Sequence, residues 1–221
     1  MQALQENLTR YLDVFDRAEG FSGPSIHFHH RAISRLRGLG RPSLAAEDEL
    51  FIDYLYATLT AWGLHRMGPR GPKLVPFDTF AQNLKKVGPD LDGFCSLRIE
   101  ECQARGLGPL VDALWGLIRR LALSATKSQV VTGTKALHHL LPDLVPPIDR
   151  RYTAEFFGWG AQMQGREQEM FAEVFPMLVG LAPAAKAVAD AYLGRGWHTS
   201  VPKLVDNAVI GFVMEMKRGT Q

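Results

Sequence analysis

Lys135 and Asp149 are the side chains in this sequence whose types and neighbours best suit covalent chemistry. A lysine amine becomes a nucleophile when burial or nearby cations withhold its proton, and a carboxylate can take up a proton or stabilise a developing cation. Both lie in residues 131–152, VTGTKALHHLLPDLVPPIDRRY, fourteen positions apart. Gly133 and Thr134 sit at a predicted helix start, where unpaired backbone N–H groups can hold an anion such as phosphate. Lys135 then falls in the first turn. A proline-rich crossing over residues 142–147 leads to Asp149, which is predicted to cap the next helix with Arg150 and Arg151 beside it. His138 and His139 share the helix of Lys135, His139 one turn further on, and histidine is the usual proton carrier near neutral pH. The same residues admit a plainer arrangement: a solvated lysine, a capping aspartate, two surface arginines and two packed histidines.

Gly133-Thr134-Lys135-Ala136 and Val145-Pro146-Pro147-Ile148-Asp149-Arg150-Arg151 resemble the helix-hairpin-helix DNA glycosylase superfamily. In that family a glycine-rich hairpin leads into a helix bearing a lysine, and a short apolar, proline-containing loop precedes an aspartate followed by a basic residue. Val131 stands where the first hairpin glycine would fall. The resemblance implies an all-helical fold and a DNA glycosylase or abasic-site lyase activity, with DNA as partner. It implies Lys135 as the nucleophile and Asp149 as the carboxylate that assists base loss, with Gly133, Thr134, Arg150 and Arg151 contacting the nucleic acid; His138 and His139 are candidate acid–base groups by residue type and position alone. The alternative is a non-catalytic helical protein that binds nucleic acid or a protein partner.

That alternative draws on two basic stretches. In residues 27–41, Arg31 and Arg35 lie one turn apart, with Arg37 and Arg41 beyond, giving a face suited to a polyanion. His27 and His30 could share a face as metal ligands, but the surrounding arginines oppose a dication, so no metal and no cofactor are expected. The loop over residues 62–76 interleaves His65, Arg66, Arg70 and Lys73 with Trp62, a combination that can stack on and neutralise a nucleic-acid strand. Glu167 and Glu169 read as solvated. Asp206 and Asn207 interrupt an apolar helix and read as a buried, hydrogen-bonded pair. No phosphate-binding loop, nucleophile elbow or zinc-protease pattern occurs.

The elements that must position these residues are helical. Alternating period-2 runs are nearly absent, while apolar residues recur at spacings of three and four, as in Leu4, Leu8, Leu12 and Phe15. The expectation is an all-α single domain over residues 1–221 with about nine or ten helices. Predicted helices cover 4–18, 27–39, 43 to about 62, 78–86, 90–105, 109–124, 132–142, 149–157, 166–180, 183–194 and 201–217, with Ser43 and Asp90 as caps and 109–124 as the central buried helix. Leu50, Tyr54, Leu55, Thr58 and Leu59 are expected to face inward. A net charge of +2, with 46% hydrophobic and 22% charged residues, is ordinary for a globular chain and too small for bulk charge to argue nucleic-acid binding. No run of about 18 apolar residues is evident and the first twenty residues carry acids, so neither membrane insertion nor a signal peptide is expected. Cys95 and Cys102, seven apart in one predicted helix, would stand too far apart for a disulfide, which suits a reducing cytoplasm. The sequence leaves the oligomeric state open.

Overall fold

The period-3.6 pattern folds as expected into helices. The structure is a computed structural model describing residues 1–18, 23, 25–65, 71–159 and 165–219, with the side chains of 103–105 left aside. Among the described residues there are twelve α-helices and no strand. They are α1 (Gln2–Glu6), α2 (Leu8–Asp16), α3 (Ser25–Leu39), α4 (Pro42–Glu47), α5 (Glu49–Leu59), α6 (Phe77–Leu91), α7 (Gly108–Leu121), α8 (Val130–Leu140), α9 (Thr153–Phe156), α10 (Glu167–Ala187), α11 (Ala189–Tyr192) and α12 (Val201–Arg218). The architecture is all-α around one continuous apolar core that draws on almost every helix.

Several boundaries differ from the sequence reading, each for a local reason. The stretch beginning at Ser43 divides, because Asp48 breaks the helix in extended backbone and caps α5 by accepting from Phe51 N at 2.8 Å. Ser43 is not the cap; its N and Oγ donate to Asp92 at 2.9 and 2.6 Å. Leu50 is exposed, whereas Phe51, Ile52, Leu55 and Leu59 are buried. Asp90 caps nothing: it lies inside α6 and pairs with Arg120. The segment after it forms two 3₁₀ turns, Asp92–Phe94 and Ile99–Arg105, so Cys95 and Cys102 do not share a helix; neither forms a disulfide among the described residues, and the first is exposed and the second buried.

The central helices are α8 and the first half of α12, not α7. The outer face of α7 carries exposed Asp112, Arg119 and Arg120, while α8 is buried from Thr132 to Leu140 and α12 from Val201 to Gly211. α10 runs unbroken through Pro176 and Pro183. By length and composition it could cross a membrane, but half of that window is buried here, where Phe171, Val174, Phe175 and Leu178 join the core. α2 lies along α12, and Gly211 makes this possible. A Cβ there would sit 1.9 Å from the Tyr11 carbonyl oxygen, so only glycine allows the two backbones to meet.

Candidate functional site

α8 places Lys135 deep rather than at a helix end. The helix starts at Val130, so Gly133 and Thr134 occupy its interior, which corrects the expectation of an anion-binding turn there. Gly133 N donates to Gln129 O at 2.8 Å, and the missing side chain admits α7: a Cβ would lie 2.6 Å from Ile118 Cγ2. Thr134 Oγ1 donates to Val130 O at 2.7 Å and accepts from Ile148 N at 3.1 Å, tying α8 to the approach to Asp149. The free N–H groups of α8 are met by an internal anion. The Glu167 carboxylate accepts from the Ser128 hydroxyl, from Gln129 N at 2.8 Å and from Val130 N at 3.3 Å. Glu167 is therefore a buried helix cap, not the solvated acid its sequence context suggests.

Asp149 opens a tight turn ahead of α9. Its Oδ1 accepts from the backbone N of Arg151 at 2.7 Å and of Tyr152 at 3.2 Å, and its own N donates to Thr153 Oγ1 at 2.9 Å. The remaining oxygen, Oδ2, accepts from Lys135 Nζ at 2.9 Å. Burial alone would push this carboxyl up, but the Lys135 charge and hydrogen bond, with the two backbone donors, hold it below the usual carboxylate range. Lys135 Nζ also lies 3.4 Å from Trp62 O and 5.6 Å from the centre of the Trp62 ring. Trp62 is brought there by the π-helical turn Thr60–Leu64, which Gly63 closes with φ +81°.

Lys135 and Asp149 share a cavity of about 440 Å³. Its walls include Phe15, Trp62, Tyr152 and Trp197, and a second lysine–aspartate pair from α12, Lys203 and Asp206. Lys203 Nζ donates to Asp206 Oδ2 at 2.5 Å and to Asn207 Oδ1 at 2.7 Å, and stands 5.6–5.8 Å from the centres of the Phe15, Trp62 and Trp197 rings. Burial pushes the Asp206 carboxyl up, against the pull of Lys203. Beyond it, Asn207 Nδ2 donates to His198 Nδ1 at 3.0 Å, which leaves Nε2–H to donate to Asp16 at 2.7 Å. The sequence marked Asp206 and Asn207 as a buried pair but missed Lys203. A lysine three and four residues before them on an apolar helix was the available signal.

Behind Lys135 lie three histidines. His139 Nδ1 donates to the Lys135 carbonyl at 2.8 Å, so its Nε2 must accept, from His29 Nδ1 at 2.9 Å. His29 Nε2 in turn accepts from the Thr199 hydroxyl at 2.9 Å. His138 stacks on His29 with ring centres 5.7 Å apart and donates from Nδ1 to Val145 O at 2.9 Å; its Nε2 is buried with no hydrogen-bond partner among the described residues. The His29–His139 link requires a neutral ring at His139, whose Nε2 accepts. Burial, reinforced by the neighbouring histidines, holds His29 well below its ordinary value; burial does the same for His138 and takes His139 down to about 4. His138 and His139 are thus dry, fixed supports under the site and line no part of the cavity.

The other basic residues are dispersed. Arg150 and Arg151 are exposed between Asp149 and Tyr152, two residues that line the cavity. Arg35 is bound two-pronged by Asp48 at 2.9 and 2.6 Å, and Arg31 lies over the Tyr54 ring. His30 donates to Gly196 O, His29 is buried in the chain described above, and no cluster of metal-ligating side chains occurs among the described residues. Of the 62–76 loop, Trp62 joins the cavity and His65 is exposed, while Arg66 and Arg70 lie outside the described residues.

Comparison with known proteins gives no match: no protein-family model, no curated protein and no solved structure resembles the chain.

Proposed function

We propose that this protein acts on DNA, receiving an extruded nucleotide in the aromatic-walled cavity and cleaving its glycosidic bond. The observation that carries the reading is the meeting of Lys135 Nζ and Asp149 Oδ2 at 2.9 Å in one cavity. About 440 Å³ suits a nucleoside-sized guest, and rings on its walls suit an unstacked base. In the reaction, the Lys135 ammonium passes a proton to Asp149 and its amine attacks the anomeric carbon. The new C–N bond forms as the bond to the base breaks. The base leaves with the electron pair and takes the proton from Asp149. The sugar remains on Lys135 as a cationic adduct, whose ring-opened imine borohydride reduces to a stable amine.

Arg150 and Arg151, exposed beside the cavity, suit contact with phosphates flanking the extruded nucleotide. A glycine-hairpin contact to phosphate receives no support, because Gly133 is packed on Ile118. A purely binding role for the α3 arginines is also less well supported, because Asp48 neutralises Arg35. The test is borohydride trapping on DNA bearing an abasic site, with wild type beside Lys135→Ala and Asp149→Asn. A covalent adduct that disappears with Lys135 supports the reading. Absence of both an adduct and salt-sensitive DNA binding in the wild type refutes it.

A further inference from the structure

The proposed reaction leaves the second lysine–aspartate pair of the cavity idle, and that pair differs from the first in what it still offers a guest. Both oxygens of Asp149 are engaged, Oδ1 by two backbone N–H groups and Oδ2 by Lys135. Asp206 uses only Oδ2, toward Lys203; its Oδ1 receives no hydrogen bond among the described residues. An ammonium carries three protons, and Asp206 and Asn207 accept two from Lys203. Both side chains line the cavity, so one charged donor and one charged acceptor stand side by side on a single turn of α12.

Their placement is fixed. The rings of Phe15, Trp62 and Trp197 surround Lys203 Nζ. Asn207 cannot turn its amide over, because its Nδ2 is committed to His198 Nδ1 while His198 Nε2–H is committed to Asp16. A rigid donor beside a rigid acceptor selects a planar guest with an acceptor and a donor on adjacent atoms. An ammonium favours a carbonyl oxygen over a neutral ring nitrogen, and a carboxylate favours an acidic ring N–H.

We propose that Lys203 and Asp206 form a recognition subsite for a heterocyclic lactam, with Lys203 donating to the ring carbonyl and the free Asp206 oxygen accepting from the adjoining ring N–H. The inference rests on the excision reading for its biological meaning, and it names the base class as hypoxanthine-, guanine- or uracil-like. The binding itself is testable without any cleavage.

The experiment is calorimetric titration of the wild-type protein with the bases hypoxanthine and uracil as their deoxynucleosides, beside 1-methyldeoxyinosine and 3-methyldeoxyuridine, in which a methyl group replaces the only ring N–H of the base. The parent bases should bind about tenfold or more tightly than the methylated ones, the usual consequence of losing a hydrogen bond to a charged group. Asp206→Asn, which turns the free oxygen into an amide, should abolish that preference; should this variant not fold, the methylated ligands still decide the matter on the wild type. Equal binding of parent and methylated bases, or no binding of either, overturns the subsite. Borohydride trapping separates the two readings. A lactam preference without trapping keeps the subsite and removes excision, whereas trapping with no preference removes the subsite alone.

Discussion

Mild acid should loosen this fold from the inside, and His139 sets the scale. The ring is fully buried, and burial takes it from 6.5 to about 4. Between those values the unfolded chain binds a proton that the folded chain refuses, so stability falls as pH falls through the window. For this one group linkage gives a loss of about 2 kcal/mol at pH 5 relative to pH 8, and about 3 kcal/mol at pH 4. His29 and His138 are displaced in the same direction, chiefly by burial, and add to the loss. Asp206 opposes it, because burial makes its carboxyl take a proton more readily in the fold than out of it. The structural reason for the refusal is burial: the ring is wholly withdrawn from water, and the nearby Lys203 charge adds to the cost of a second proton. The assay is urea unfolding of the wild type and His139→Gln at pH 8 and pH 5. Each protein is compared with itself, so a general weakening of the variant does not matter. The variant should lose about 2 kcal/mol less than the wild type between the two pH values. A wild-type stability unchanged to within about 0.5 kcal/mol, or a variant retaining the full drop, would refute the reasoning.

Asp149→Asn should lower stability by about 3 kcal/mol at neutral pH, because it strands the nearly buried Lys135 ammonium; replacing both residues by apolar ones should recover most of that in denaturant titrations. Gly211→Ala should be far more damaging than Gly133→Ala in thermal unfolding, since the first drives a methyl into the rigid Tyr11 carbonyl and the second into a side chain. Gly133→Ala is expected to cost about 1–3 kcal/mol, and Ile118→Ala should partly relieve it. Glu167→Gln should cost about 1 kcal/mol and speed hydrogen exchange at Gln129 and Val130, whose N–H groups it caps.

The helical class was legible because it depends on the spacing of apolar residues, and the pairing of Lys135 with Asp149 because a short proline-rich crossing joins the helix of one to the turn of the other. The depth of Lys135 was not legible, since Val130 and Val131 read equally as a loop end or a first helical turn, and only contact with Ile118 shows why Gly133 belongs inside. The same limit hid the His29–His139 bond, whose partners are 110 positions apart. His29 stands in a run of histidines and arginines that reads as one solvated face, yet Arg35 turns outward to Asp48 while His29 turns into the core. Glu167 looked solvated because its partners, Ser128 and Gln129, lie nearly forty positions upstream. Contacts of that range leave no periodic trace in sequence.

The cavity is also a record of assembly order. Lys135 and Asp149 belong to adjoining segments and can meet as soon as both have left the ribosome, but the wall carrying Lys203 and Asp206 belongs to α12, more than fifty residues after Asp149. Until α12 arrives, α2 has no Gly211 groove to rest in and the three histidines lack the Thr199 hydroxyl that anchors them. A nascent chain therefore holds the Lys135 side chain beside a half-built scaffold for the time needed to add about fifty more residues. Arrival of α12 closes that wall, burying Lys203 and Asp206 and bringing in Asn207, whose amide oxygen holds the Lys203 ammonium in place, so the cavity takes its shape only once α12 has been made.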